Sequence, residues 1–103
     1  MAPAAGEDVA GTPLRLEWSD RARRQLLEIL DYYLEHASAA AAERVLWQIE
    51  GRARELAQHP LSGVAVDGLD GTYRRDRTGS YALLYRVLRE DDSVRILSVR
   101  HGR

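Results

Sequence analysis

Residues 71–100 read GTYRRDRTGSYALLYRVLREDDSVRILSVR, and this stretch decides the fold. Its centre, Ser80–Leu88, carries Tyr81, Leu83, Tyr85 and Val87 at every second position. Alternate side chains of a strand point to one face, so this spacing predicts a half-buried β-strand. Gly71–Arg77 reads as a strand before it, turned by Thr78 and Gly79. After it, Glu90, Asp91 and Asp92 form a solvated turn, and Val94–Arg100 is rich in β-branched and aliphatic residues, as strands are. Connections this short predict an antiparallel three-strand meander.

Working back toward the N-terminus, Leu61–Asp70 reads as a loop, and before it the apolar period changes from two to that of a helix. Ala42, Val45, Leu46, Ile49, Ala53 and Leu56 form one stripe. This helix starts after Ser38, a good N-cap, and ends near Gln58, because Pro60 disfavours helical geometry at His59. An earlier stripe, Ala22, Leu26, Ile29, Leu30 and Tyr33, predicts a helix from the Ser19 cap to about Glu35, with Asp20 favourably placed in its first turn. So short a break between two helices predicts an antiparallel hairpin. Leu14, Leu16 and Trp18 alternate with Arg15 and Glu17 as a short first strand. Residues 1–13, rich in Ala, Gly and Pro without periodicity, read as a disordered tail. The expectation is one α+β domain over 14–103, ordered β-α-α-β-β-β, with a helix hairpin packed on a small antiparallel sheet.

Composition excludes several classes of function. With no cysteine in 103 residues there is no disulfide, thiolate metal site or cysteine nucleophile. No run approaches the roughly 18 apolar residues of a membrane span, and no basic-then-apolar signal opens the chain. A cytoplasmic protein is expected. The GxGxxG, P-loop, GxSxG and HExxH patterns are absent. The three histidines, His36, His59 and His101, show no ligand spacing, so neither a metal nor a cofactor is expected. The net charge of −1 is unevenly spread: −5 over residues 1–70 and +4 over 71–103. All fifteen basic residues other than histidine are arginine.

The basic part contains Arg74, Arg75, Arg77, Arg86, Arg95, Arg100 and Arg103, with His101. Two readings stand. These residues form a surface for an anionic partner, either RNA phosphate or acidic protein side chains, or they form a solvated sheet face with weak surface ion pairs. A histidine such as His101 can serve as a general acid or base near neutral pH, but one in this position is more often a surface residue. His36 and His59 fit helix-end positions. Trp18 and Trp47 are expected in the core or at its edge, as are Tyr81 and Tyr85. Tyr73 is expected beside the arginines, and Tyr32 and Tyr33 in helix packing or a partner contact.

Six segments together resemble a known superfamily: LEWSDRA (16–22), ILDYYLE (29–35), SAAAAERVL (38–46), HPLSG (59–63), GTYRRDRTGSYALLYRV (71–87) and ILSVRHGR (96–103). In this order and spacing they look like the RelE/ParE toxins of type II toxin–antitoxin systems. The resemblance implies a β-α-α-β-β-β toxin neutralised by a cognate antitoxin. It offers two activities, ribosome-dependent cleavage of messenger RNA in RelE-like members and poisoning of DNA gyrase in ParE-like members. RelE-like proteins read Gly-Tyr-Arg where this chain reads Ser80-Tyr81-Ala82, and they commonly carry a tyrosine past the last strand, which this chain does not. The run Tyr81–Arg86 and the His-Gly-Arg ending look like the ParE branch. That branch implies inhibition by protein–protein contact, with no residue assigned a chemical step. The surface for target or antitoxin is then expected at Arg74, Arg75, Arg86, Arg100, His101 and Arg103. Were the chain a nuclease, His101, Arg86 and Arg74 would be its candidates. A member that only binds its antitoxin is the third alternative.

Overall fold

The computed structural model describes residues 13–102. The tail expected over 1–13 lies, Pro13 apart, outside the described residues, as does Arg103. Strand β1 (Arg15–Trp18) leads into helices α1 (Asp20–His36) and α2 (Ala39–Gln58). A 3-10 turn, Pro60–Ser62, precedes β2 (Val64–Ala65), β3 (Tyr73–Thr78) and β4 (Tyr81–Leu88), and a second, Arg89–Asp91, leads into β5 (Ser93–His101).

Both serine caps form as the sequence implies. Ser19 Oγ accepts from the Ala22 amide and Ser38 Oγ from the Ala41 amide, each at 3.0 Å, satisfying donors that a helix start leaves open. The Ser19 hydroxyl also donates to the Leu97 carbonyl at 3.0 Å, which ties the start of α1 to β5. Gly79 turns β3 into β4 with φ of +57°, a left-handed conformation that glycine adopts without penalty.

The sheet order is β1-β5-β4-β3-β2. The three long strands pair as the antiparallel meander expected from residues 71–100. The sheet as a whole is mixed, because β1 pairs parallel with β5, Leu16 opposite Val94 and Trp18 opposite Ile96. Alternation of side chains tells which face of a strand is buried and says nothing of its partner's direction. Here β1 forms one edge of the sheet and runs the same way as its inner neighbour β5. The segment read as a loop over Leu61–Asp70 contributes the short edge strand β2, paired with Arg74 and Arg75.

Both helices cover one face of the sheet. The core joins Ala22, Ile49, Ala53 and Leu56 to Tyr81, Leu83, Tyr85, Val87, Val94, Ile96 and Val99. Burying each large side chain here contributes about 1.5–3 kcal/mol. Tyr81 and Tyr85 are core, as expected, and Trp18 packs on its border. Trp47 departs from expectation, at 72% exposure. It lies about 200° around the helix axis from Ile49, which points it away from the sheet.

Candidate functional site

Strand register sorts the arginines by face, since directly paired residues point the same way. Four rows cross the face opposite the helices. One holds Arg77, Ala82 and Arg100; the next holds Arg75, Leu84 and Ser98; the third holds Tyr73, Arg86, Arg95 and Glu17. The fourth holds Leu88, Ser93 and the exposed Arg15, so six guanidinium groups share one open sheet face. Arg75, Arg77, Arg95 and Arg100 are exposed and Arg86 is half-buried.

Their electrostatic states differ. Arg95 donates to Glu17 Oε1 through Nε at 3.1 Å and through a terminal nitrogen at 3.0 Å, and Arg15 reaches the other oxygen at 2.8 Å. These two guanidiniums, Arg15 first, hold the Glu17 carboxyl below its ordinary pKa. Arg86 is fixed by geometry, its guanidinium 4.5 Å from the Tyr73 ring centre and its Nε donating to Thr72 Oγ1 at 3.1 Å. Tyr73 therefore sits beside the arginines, as expected. Arg77 donates to the Gly102 carbonyl at 3.3 Å. Among the described residues, Arg75, Arg77, Arg86 and Arg100 enter no ion pair.

Ala82 lies between Arg77 and Arg100 in its row. The two arginines stand on strands about 10 Å apart, where like charges in water repel by only about 0.4 kcal/mol. The small alanine side chain leaves a depression of about 460 Å3, lined by Val64, Arg75, Asp76, Arg77 and Ala82. Such a hollow offers planar donors to a carboxylate or phosphate group, and its one carboxylate, Asp76, is bound to Arg52.

The other expected site residues stand elsewhere. Arg74 pairs with Tyr85 and so faces the helix side, where it donates to the Gly63 carbonyl at 2.5 Å. Its Nε is buried without a partner among the described residues. His101 also belongs to the helix side, its ring edge-on to Tyr81 with centres 5.5 Å apart. Arg100 lines a cleft beside His101 as well as belonging to the open face. Of the group expected from sequence, Arg75, Arg86 and Arg100 come together, and Arg74 and His101 lie across the sheet from them.

Sequence reasoning passed over Glu17, the acid that occupies Arg95, and Thr72, which orients Arg86. Strand parity signals Glu17, since Leu16 and Trp18 face the core and Glu17 must face away. It also passed over Asp76, which binds Arg52 and fastens β3 to α2. The Arg52 guanidinium is raised further by these contacts, first with Asp76 and then with Glu55. Among the described residues no group of three His, Cys, Asp or Glu is placed to hold a metal, and no helix is long and apolar enough to cross a membrane.

Two helices on one face of a five-stranded mixed sheet, with arginines gathered on the other, define a small α+β protein of the RelE/ParE fold. The family model for the ParE toxin of the type II toxin–antitoxin system parDE matches residues 16–103, and the chain belongs to that family. A chain of the chromosomal ParDE system from P. aeruginosa superposes with a TM-score of 0.73 at 18% identity, over 90% of this chain and 100% of that one. A chain of the RelBE2 toxin–antitoxin complex from Mycobacterium tuberculosis gives 0.70 at 26% identity, covering 90% and 97%. The isolated E. coli RelE toxin gives 0.62 at 17%, covering 87% and 85%. The first and last of these likenesses show the fold alone. No curated protein matches the sequence.

Proposed function

We propose that this toxin acts in the ParE manner, inhibiting DNA gyrase in the cytoplasm by stoichiometric protein–protein contact, and that a cognate antitoxin neutralises it. The reading rests on one observation: Arg86 lies on the open face of the sheet, whereas Arg74 and His101 lie on the helix face. Cleavage of RNA requires a base, a phosphate-binding cation and an acid around one scissile bond, within hydrogen-bond reach of the reacting atoms. Three groups divided by a sheet do not converge on one bond. Position 82, where the nuclease pattern has arginine, is a small apolar residue. What remains on the open face is a set of guanidinium donors suited to acidic side chains. Arg75, Arg77, Arg86 and Arg100 form the proposed target surface, and the neighbouring Arg103 extends the basic chain end in sequence.

The purified protein should block negative supercoiling by gyrase at concentrations comparable to the enzyme and leave messenger RNA intact in a translating extract. Ribosome-dependent cleavage without gyrase inhibition would replace this reading with the RelE-like one. Silence in both assays would leave a protein that only binds its antitoxin.

A further inference from the structure

The arginine face leaves unused a second depression, an open cleft of about 700 Å3 between α1 and the ends of β4 and β5. Its apolar surface comes from Ile29, Tyr32, Tyr33, Tyr81 and Val99. Tyr32 is 56% exposed and yet held in place, stacked on His36 with ring centres 4.5 Å apart and edge-on to Tyr33 at 5.4 Å. An aromatic side chain already restrained by its neighbours loses little further freedom when a partner covers it. In the floor, the Tyr81 hydroxyl donates to the Tyr33 hydroxyl at 3.4 Å. Burial, followed by contact with Tyr33, pushes the Tyr81 phenol up to about 12, so it stays a neutral donor.

The walls carry opposite charges. Glu28 lines the α1 side, and Arg100 and His101 line the β5 side. Asp31 and Glu35 add exposed acids to α1. A nucleic-acid strand would carry phosphates toward that acidic helix, which costs affinity. A polypeptide can present both signs around an apolar side chain, so charge complementarity selects a protein segment.

We propose that this cleft seats an anchor segment of the cognate antitoxin. One large apolar side chain enters against Tyr32 and Val99, flanked by a carboxylate facing Arg100 and His101 and a cation facing Glu28. The proposal rests on the toxin–antitoxin reading above and adds to it the place where the antitoxin docks. The cleft lies across the sheet from Arg75, Arg77 and Arg86, so antitoxin seated there is not a competitor for most of the target surface.

The test titrates wild-type toxin and three variants, Tyr32→Ala, Glu28→Arg and Trp47→Ala, with the purified product of the reading frame adjoining this gene. Tyr32→Ala should weaken binding about 30-fold and Glu28→Arg about 10-fold, as hot-spot and charge-reversal positions do. Trp47→Ala, on the outer side of α2, should bind as wild type. Free Tyr32→Ala toxin should inhibit gyrase as wild type does, which shows the variant folded. Tight wild-type binding that both cleft variants retain within twofold overturns the cleft while leaving the antitoxin reading in place. A wild type that ignores the adjoining product removes that reading and this inference with it. Two other results also overturn the proposal: a toxin dimer that Tyr32→Ala dissolves, or a polyuridine strand whose binding Tyr32→Ala abolishes.

Discussion

The Tyr85 hydroxyl donates to the Pro60 carbonyl at 2.7 Å and accepts from the Gly63 amide at 3.0 Å, so one phenol closes the turn that leads out of α2. Tyr85 is fully buried, and burial pushes its phenol up. Arg74 adds its bond to the Gly63 carbonyl on the same side. The Tyr85 position in β4 and the HPLSG segment thus form one device, which sets where β2 begins and holds the edge of the arginine face.

Tyr85→Phe removes the hydroxyl and leaves a buried carbonyl and amide without partners, at a cost of about 2 kcal/mol. For a domain of this size that lowers Tm by on the order of 10 °C. Gly63→Ala should be worse, because a Cβ there would lie 2.5 Å from the Tyr85 hydroxyl and 2.7 Å from the Arg75 carbonyl. Urea unfolding of both variants checks the order. A Gly63→Ala protein as stable as wild type would contradict the close approach.

Arg74 and Arg75 are adjacent in sequence and should fail in different ways. Arg74→Ala removes a bond to the Gly63 carbonyl on the helix side, and should lower stability by about 1–2 kcal/mol. The double variant Arg75→Ala, Arg77→Ala touches exposed groups without ion pairs, so Tm should move by no more than about 2 °C. Gyrase inhibition by the double variant should fall about 10- to 100-fold, as loss of charged interface contacts does. Parallel thermal melts and supercoiling assays separate the two effects, and unchanged inhibition would remove Arg75 and Arg77 from the target surface.

Much of this architecture is visible in the residues themselves. Ser19, Ser38 and Pro60 mark the helix limits by chemistry local to the backbone, and the period of two in Tyr81–Val87 marks the central strand. The parallel edge of β1 is invisible in the same way, because hydrophobic alternation is identical for either pairing sense. Trp47 misled because bulk and apolarity suggested burial, although its angle from Ile49 sets it outside the stripe. Arg74 misled for the converse reason. Charge suggested a surface role, while the pairing of Arg74 with Tyr85 puts it on the helix side. The clustering of arginines was legible; their division between two faces required the register of β3 against β4.

Glu17 supplies a pH dependence. Its carboxyl is held below its ordinary value of 4.5 by Arg15 and then Arg95. A carboxyl with a depressed folded pKa contributes stability that is present above its unfolded value and lost as pH falls through the folded one. The wild type should therefore lose stability below about pH 4.5, and Glu17→Gln should show a shallower loss there. Thermal melts between pH 3 and 6 measure the difference. Parallel curves for the two proteins would mean that the exposed pair contributes nothing to the acid limb.

Ala82→Arg tests whether the open face lacks only a cation to become a nuclease. The substitution restores the tyrosine–arginine order of the RelE-like pattern, and position 82 lies in the row between Arg77 and Arg100. An arginine there adds a phosphate ligand but no proton donor or acceptor, since His101 remains on the helix side against Tyr81. Phosphate binding without acid or base chemistry leaves the 2′-hydroxyl without activation and the leaving oxygen without a proton. Ala82→Arg should therefore produce no cleavage of messenger RNA in a translating extract. The third guanidinium in one row should also weaken gyrase inhibition, because it fills the hollow bounded by Arg75 and Arg77. Site-specific cleavage by this variant would show that the sheet does not separate the reacting groups, and the protein–protein mechanism would lose its main support.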